Sequence, residues 1–373
     1  MKKSIKAIIL SLTVILTLVC FVFVNDVIDK KTYNTENVQI ITKEEDADKE
    51  EIVPNWVKDS KAMKSIIAFV KSVTDKNSIE YIPVEQRIVV FDFDGTLYGE
   101  HFPTYFDQSM LIYRLLYDKN YQATEEQKEY AKALEMVYFD NQPWPESTKT
   151  VEQIAAESFE GFTVEEYREY VHEFMTFQVT GFDNMTYKDG FYLPMISLIK
   201  YLSDNEFTIF ISSGSECDLV REVTEGTLDK WIPPYRVIGS TFSLAATEQG
   251  NVIGEEYTYT KDDKVLIEGK DVTFRNLKMN KVISIIDEIG AVPIMAFGNS
   301  TGDFSMAQYV LQHGGKVYML LSDDEKRDYG NQKEASLFEK QCSELGFETI
   351  SIKDEFETIY NKDVKKTEMR RIR

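Results

Sequence analysis

The sequence predicts an α/β fold in which a parallel sheet is flanked by helices and carries an inserted helical domain. Short apolar runs such as "RIVVFDF", at 87–93, have the length and β-branched content of strands buried on both faces. From about residue 189 such runs alternate with amphipathic helical patterns, and this alternation is typical of parallel βαβ units. Residues 98–188 interrupt it with mostly helical patterns, so we expect them to form a separate domain above the sheet.

The N-terminal 29 residues predict a membrane segment. Three lysines, at positions 2, 3 and 6, precede an uncharged apolar run at 7–25. At about 1.5 Å per residue, a helix of this run nearly spans a hydrocarbon core of about 30 Å. The basic residues would keep the N-terminus cytoplasmic and send the remainder across. The run is a signal anchor or a cleaved signal peptide, and the lack of a good cleavage site favours the anchor. We therefore expect an extracytoplasmic protein, either membrane-anchored or secreted.

Composition limits the remaining possibilities. Residues 30–55 are polar and acidic and are expected to form a flexible linker. The formal charge of -21 argues against a nucleic-acid partner, which calls for clustered basic residues. Beyond the N-terminal run the chain has two cysteines, Cys217 and Cys342, which are too few for a disulfide framework but leave one bridge open.

The elements of the main domain, expected at 56–97 and 189–365, follow from the patterns in order. An amphipathic helix around residues 63–73 precedes the first strand. In the inserted block, "TVEEYREYVHEFM" begins with a capping box formed by Thr163 and Glu166. Later helices are predicted in "LPMISLIKYLSDN", "ECDLVREV", "MNKVISIIDEIG" and "DFSMAQYVL". Strands are predicted in "FTIFISS", "YRVIGST", "PIMAFGN", "KVYMLLS" and "FETISI", with a hairpin made of "EEYTYT" and "KVLIEG".

Polar side chains follow three of these strands at the point where each strand ends. They are Asp92, Asp94 and Thr96 after the first, Ser212, Ser213 and Ser215, with Gly214 between the last two, after the second, and Asn299 and Asp303 after the third. Ligands bind at the carboxyl ends of the strands in open α/β sheets, so we expect these side chains to share one site. Lys281, near the start of a helix, adds a cation.

This set of side chains suits phosphoryl chemistry. A carboxylate such as Asp92 can attack phosphorus and form an aspartyl-phosphate. The repulsion between the two anions calls for a cation, and Mg²⁺ prefers oxygen ligands of the kind that Asp92, Asn299 and Asp303 offer. The Ser213 hydroxyl and the Lys281 ammonium can neutralise phosphoryl oxygens. Asp94 lies two residues from Asp92 on the same face of a strand, where it can exchange a proton with the leaving group and with water.

The motifs "DFDGT", "ISSGS", Lys281 and "GNSTGD", in this order, resemble the four motifs of the haloacid dehalogenase (HAD) superfamily over about residues 85–360. The helical block resembles the first class of cap in its phosphoserine phosphatase-like members. The resemblance implies a Rossmannoid core, with Asp92 as nucleophile, Asp94 as acid/base and metal ligand, and Thr96 as a turn-stabilising hydroxyl. It also implies that Ser213 and Lys281 are the residues of motifs two and three.

The chain departs from the family pattern at one position. Asn299 stands where many members have a metal-binding aspartate, which removes a negative charge and is expected to weaken the metal site somewhat. Asp94 separates the chain from the family's dehalogenases and ATPases, which lack this second aspartate, and so favours phosphate-ester chemistry. We therefore expect a Mg²⁺-dependent phosphomonoesterase that acts on a small phosphorylated metabolite.

Several alternatives stay open at this point. The chain could instead be a phosphotransferase that uses the same phosphoaspartate, or a catalytically inactive extracellular binding protein. Lys278, three residues before Lys281 on the same helical face, is a rival for motif three. Ser212 is a rival for Ser213. Candidate substrate contacts are Glu100 and His101, which follow motif one closely, and Gly214.

Overall fold

A seven-stranded sheet forms the centre of the structure, a computed structural model that describes residues 53–140 and 142–371. Its strands are β1 (Ile88–Phe91), β3 (Thr208–Glu216), β4 (Val237–Ala246), β5 (Leu266–Phe274), β6 (Met295–Gly298), β7 (Lys316–Leu321) and β8 (Glu348–Ser351). Their order across the sheet is β5–β4–β3–β1–β6–β7–β8, and every neighbouring pair is parallel except β4 and β5. The predicted parallel α/β sheet is thus confirmed, with one antiparallel edge strand added.

Helices cover the sheet and build the insertion. They are α1 (Lys61–Thr74), α2 (Phe106–Leu116), α3 (Glu125–Asp140), α4 (Val151–Phe159), α5 (Val164–Met175), α6 (Leu193–Asp204), α7 (Cys217–Thr224), α8 (Met279–Ser284), α9 (Phe304–Gln312), α10 (Gln332–Leu345) and α11 (Ile352–Glu355). A π-helical turn, Ile285–Ile289, follows α8. A two-stranded antiparallel ribbon pairs β2 (Phe182–Asp183) with β9 (Lys365–Lys366).

The N-terminal predictions fall outside this region. The predicted membrane segment at 1–29 and the linker up to residue 52 lie outside the described residues and stay predictions. Within residues 53–140 and 142–371, no helix is long and apolar enough to cross a membrane.

All four side chains of the central strand β1 are buried, which places this strand in the core. Phe91 stacks on Phe297 of β6 with ring centroids 4.3 Å apart. The two cysteines are free and buried in different apolar clusters, Cys217 at the start of α7 and Cys342 within α10. The bridge that the sequence left open is therefore absent between them.

The predicted hairpin between residues 255–260 and 264–269 is wrong in its first strand. Residues 255–260 form no strand, and β5 pairs with β4 instead. The connection folds around the Asp263 carboxylate, which accepts hydrogen bonds from Tyr257 Oη (2.9 Å) and the backbone N–H groups of Thr260 (2.6 Å) and Glu248 (3.0 Å). These local bonds satisfy the polar groups that a strand would have paired.

The helical insertion, α2 to α5, lies between β1 and β3 in the chain and is held against the edge of the sheet. The backbone N–H of Gly161 donates to Glu268 O (2.8 Å), and that of Glu268 donates to Phe162 O (2.7 Å), so the loop before α5 pairs with β5. Arg275 adds an ion pair to Glu152 of α4 (2.7 Å). The predicted capping box of α5 is present. These contacts bring α2 and α4 over the carboxyl end of β1.

Candidate active site

The turn after β1 presents the first two carboxylates. The Asp92 N–H donates to Phe297 O (2.9 Å), which extends the pairing of β1 with β6. The chain then reverses at Gly95, whose φ of 71° lies in the left-handed region that favours glycine. Gly95 N–H donates to Tyr98 O (2.6 Å) and closes the turn. The Thr96 hydroxyl lies 3.3 Å from Asp92 Oδ2, so this turn holds both the nucleophile candidate and a donor to it.

Lys281 joins the first and last motifs. Its Nζ donates to Asp92 Oδ1 (2.5 Å) and to Asp303 Oδ1 (2.6 Å), and its side chain is 2% exposed. The other oxygen of Asp303 accepts from the backbone N–H groups of Asn299 and Ser300, both at 3.1 Å. Lys278, its rival in the sequence, is exposed and lies directly before α8. The backbone N–H of Lys278 donates a hydrogen bond to Gly302 O. The structure thus brings Lys281 into the site.

The charges in this group are strongly coupled. Burial and the nearby charge of Asp303 raise the pKa of Asp92 to about 7, although Lys281 opposes the shift. Burial on its own would lower the pKa of Lys281, but the charges of Asp303 and Asp92 outweigh it and raise that pKa above its ordinary value. Two carboxylates therefore share one ammonium group, and a further cation would stabilise the ionised form of Asp92.

Asp94 differs from Asp92 in its surroundings. Its Oδ2 accepts a hydrogen bond from Ser215 Oγ (2.7 Å). Burial, followed by the charge of Asp107, raises the pKa of Asp94 well above its usual range. This shift favours the protonated form of the carboxyl group, and the bond from Ser215 to Oδ2 leaves Oδ1 free to carry the proton. Asp94 can therefore serve as a proton donor.

The end of β3 differs in detail from the prediction. Ser213 is fully buried, and its Oγ accepts from the Ser215 N–H (3.0 Å). The Ser212 hydroxyl accepts from Asn276 Nδ2 (3.0 Å), which also donates to Ser213 O (2.9 Å). Gly214 and Ser215 line the cavity that Asp92 and Asp94 also border, whereas Ser212 and Ser213 are not part of its lining. Ser213 is thus placed to shape the loop that carries Ser215.

A cavity of about 180 Å³ opens above these side chains. Its floor and walls come from the strand ends and from the start of α8. Its roof comes from Tyr105, Asp107 and Gln108 at the start of α2 and from Glu152 of α4. The sequence analysis did not identify these four residues, and it named Ser215 at the end of its strand without assigning it a role. The position of α2 directly after motif one was a usable signal for the first three, but Glu152 depends on how the insertion packs.

Glu100 and His101, predicted as substrate contacts, lie outside this lining. Glu100 Oε2 accepts a hydrogen bond from Asn299 Nδ2 (3.0 Å). His101 Nε2 lies 3.1 Å from Ser322 Oγ. Both residues therefore contact other side chains at the edge of the site, and Gly214 is the one predicted substrate residue that borders the cavity.

The donor set fits a hard divalent cation. Asp92, Asp303 and Asn299 border the cavity with carboxylate and amide oxygens, the ligand types that Mg²⁺ prefers. Thr96 Oγ1 lies within 3.4 Å of both Asp92 Oδ2 and Asn299 Oδ1, so these two oxygens face the same region. A second group of ligand-type side chains among the described residues, His172, Glu222 and Glu225, is largely exposed and lies outside the cavity lining.

Larger hollows lie elsewhere. A cleft of about 1470 Å³ lies between the insertion and the C-terminal ribbon, and none of the four motifs contributes to its lining. Volume therefore does not mark the candidate site, whereas the convergence of titratable groups with shifted pKa values favours the smaller cavity.

Comparisons with known proteins add weak structural likenesses. No family model matches the chain, and no curated protein matches it. A conserved protein of unknown function from Anaerococcus prevotii DSM 20548 is similar at 16% identity, with a TM-score of 0.47 over 80% of this chain and 92% of that one. Cytosolic 5'-nucleotidase IIIB bound to cytidine is similar at 13% identity, with a TM-score of 0.46 over 79% and 88%. A phosphoserine phosphohydrolase-like protein from Francisella tularensis subsp. tularensis SCHU S4 gives 14% identity and a TM-score of 0.32 over 64% and 89%.

The assignment of the site therefore rests on this chain's own residues. The order of its four motifs, and their convergence at the carboxyl edge of a parallel sheet, are similar to the pattern of the HAD superfamily.

Proposed function

We propose that this protein is a Mg²⁺-dependent phosphomonoesterase of the HAD superfamily that works through an aspartyl-phosphate intermediate on Asp92. The observation that carries the proposal is the pair of bonds from Lys281 to Asp92 and Asp303, next to Asp94 in one small cavity. A carboxylate nucleophile, a cation and a protonated acid, all facing one small space, are the components of a two-step phosphoryl transfer.

In the first step an Asp92 carboxylate oxygen attacks phosphorus, and the bond from phosphorus to the ester oxygen breaks. Asp94 gives its proton to the departing alkoxide, so the product leaves as a neutral alcohol. Lys281 remains paired with Asp303 and offsets the charge that gathers around phosphorus. Asp92, Asn299, Asp303 and the Asp94 carbonyl would hold a Mg²⁺ ion, which would supply positive charge to offset the repulsion between Asp92 and the phosphate.

In the second step Asp94, now ionised, accepts a proton from water. The resulting hydroxide attacks phosphorus, and Asp92 leaves as a carboxylate, which returns the enzyme to its starting state. The same Asp94 thus acts as acid and then as base. Ser215 keeps Asp94 Oδ2 engaged, so Oδ1 makes both proton transfers.

The cavity supports a small substrate. Tyr105, Asp107, Gln108 and Glu152 close the site from above, in the manner of a cap domain formed by residues 98–188. A roof of this kind excludes bulk water and large leaving groups. We therefore propose a phosphorylated metabolite of small size. The apolar run at 7–25 supports a location outside the cytoplasm, as a membrane-anchored or secreted protein.

The test is hydrolysis by the full-length chain, purified in detergent. We expect it to release phosphate from p-nitrophenyl phosphate with Mg²⁺, and to lose this activity with EDTA. A panel of small phosphate esters, assayed with and without an added alcohol, then separates hydrolysis from phosphotransfer. Transfer of the phosphoryl group mainly to the alcohol would favour the phosphotransferase. Failure to hydrolyse any ester with Mg²⁺ would contradict the proposal.

A further inference from the structure

Asn299 poses a chemical problem for the metal site. An amide group has two ends, and only its oxygen can bind a cation, whereas both oxygens of an aspartate can. An asparagine ligand must therefore be held in one orientation. It also brings no negative charge to offset the charge of the cation.

Glu100 meets the first requirement. Its Oε2 lies 3.0 Å from Asn299 Nδ2. An ionised carboxylate accepts hydrogen bonds but cannot donate one, so the amide must turn its nitrogen towards Glu100. Asn299 Oδ1 then faces Thr96 Oγ1 at 3.4 Å, on the side where Thr96 also approaches Asp92 Oδ2. The amide oxygen is thereby directed towards the other oxygen ligands.

The turn after β1 is folded so that Glu100 reaches this place. Tyr98 is fully buried, and its hydroxyl donates to Tyr187 O. The Gly99 N–H donates to Gly190 O (2.9 Å), which returns the chain towards the site. As a result Glu100 is confined, with 13% of its side chain exposed.

The glycine at position 95 leaves the space that this bridge needs. A Cβ atom there would lie 1.9 Å from Asn299 Nδ2 and 2.6 Å from Glu100 Oε2. The contact between Glu100 and Asn299 therefore passes directly over Gly95. Its positive φ of 71° and this close approach both favour glycine at the position.

We propose that Glu100 is a positioning residue for the metal site, which orients the Asn299 amide and supplies nearby the negative charge that the amide lacks. This inference rests on the metal-binding part of the proposed function. It assigns Glu100 a role through Asn299 rather than through contact with the substrate.

Binding of Mn²⁺ to the full-length chain, measured by calorimetry or electron paramagnetic resonance without substrate, tests the proposal. Glu100→Ala should weaken binding by roughly 10–100-fold, as removal of a group that orients a ligand does. Glu100→Gln keeps an acceptor for the amide but loses the charge, so it should weaken binding less than Glu100→Ala. Glu85→Gln, at an exposed carboxylate away from the site, is the control and should bind as the wild type does.

A second background gives the sharper readout. In Asn299→Asp the new carboxylate faces Glu100, and the two repel, so adding Glu100→Gln should leave Mn²⁺ binding unchanged or strengthen it. Glu100→Gln should therefore weaken Mn²⁺ binding when residue 299 is asparagine, and should not weaken it in the Asn299→Asp background. If Glu100→Gln weakens Mn²⁺ binding equally in both backgrounds, or has no effect in either, the proposed role of Glu100 is overturned and the proposed function is not. If the wild-type chain binds no Mn²⁺, both the metal dependence in the proposed function and the role of Glu100 are overturned.

Discussion

Lys281 Nζ lies 2.5 Å from Asp92 Oδ1, where solvent scarcely reaches either group. The same ammonium group lies 2.6 Å from Asp303 Oδ1. One cation therefore serves two buried carboxylates that come from opposite ends of the motif series. This arrangement makes the site sensitive to the loss of any one of the three charges.

Removal of Lys281 should damage both stability and activity. Lys281→Met leaves Asp92 and Asp303 buried without their shared partner, which we expect to lower the free energy of unfolding by about 3–5 kcal/mol. Added Mg²⁺ should restore part of this loss, because it supplies the missing positive charge. Lys278→Met is the matched control, and its melting temperature and activity should stay near those of the wild type. Equal losses in both variants would contradict the assignment of Lys281 to the site.

Replacement of the proposed acid should depend on the leaving group. Asp94→Asn cannot protonate an alkoxide, so kcat for alkyl phosphates should fall by about 10²–10⁴-fold. Formation of the phosphoenzyme from p-nitrophenyl phosphate should fall much less, because nitrophenolate is stable without a proton. Rapid-mixing measurements of the nitrophenolate burst check this. An identical loss for both esters would mean that Asp94 does not protonate the leaving group.

The roof of the cavity should select substrates by charge. Asp107 borders the cavity, and among its contacts its carboxylate accepts a bond from the Gln108 backbone N–H (2.7 Å). Burial raises the pKa of Asp107 to about 7, so its carboxyl group is negatively charged above that pH. At pH 8, esters whose leaving group carries a carboxylate should therefore have a lower kcat/KM than neutral or ammonium-bearing esters of equal size. Asp107→Asn should narrow this difference, and Asp183→Asn, an exposed residue of β2, should not. An unchanged preference in Asp107→Asn would place the selecting group elsewhere.

A buried glutamate in the edge strand β5 should make the stability of the protein depend on pH. Glu268 of β5 is 5% exposed, and burial, with the charge of Asp218, raises its pKa from the ordinary value of 4.5 to about 7. Because the pKa of Glu268 is raised in the folded state, its carboxyl group favours the folded state fully at a pH below the ordinary pKa of 4.5. This contribution to stability is lost as the pH rises through about 7. Glu268→Gln should therefore reduce the fall in melting temperature between pH 5 and pH 8. The exposed Glu85→Gln serves as the control, and equal slopes in the two variants would contradict this account.

The residues at the floor of the candidate cavity were predictable from the sequence because they directly follow strand ends. The carboxyl ends of parallel strands meet at one edge, so Asp92, Asn299 and Asp303 were expected to converge, and they do. Lys281 was preferred over Lys278, and its position in the site agrees with that choice.

Other features of the site depend on long-range geometry that no local pattern encodes. β3 runs on to Glu216 with a shift in its register to β4, so Ser215 rather than Ser213 borders the cavity. The roof depends on the pairing of the insertion with β5 through Gly161 and Glu268. The contact of Glu100 with Asn299 joins residues 199 positions apart, and it requires the turn at Gly95 to fold back on itself.

The most direct test of the account is covalent labelling of Asp92. The full-length Asp94→Asn variant, mixed with p-nitrophenyl phosphate and Mg²⁺ and then quenched in acid, should carry one phosphoryl group on the peptide that contains Asp92. Mass spectrometry after digestion locates the group, and hydroxylamine should remove it as inorganic phosphate, as it does from an acyl phosphate. The variant with both Asp92→Asn and Asp94→Asn should carry none. A label on another residue, or turnover that continues in Asp92→Asn alone, would contradict the central claim that Asp92 is the nucleophile.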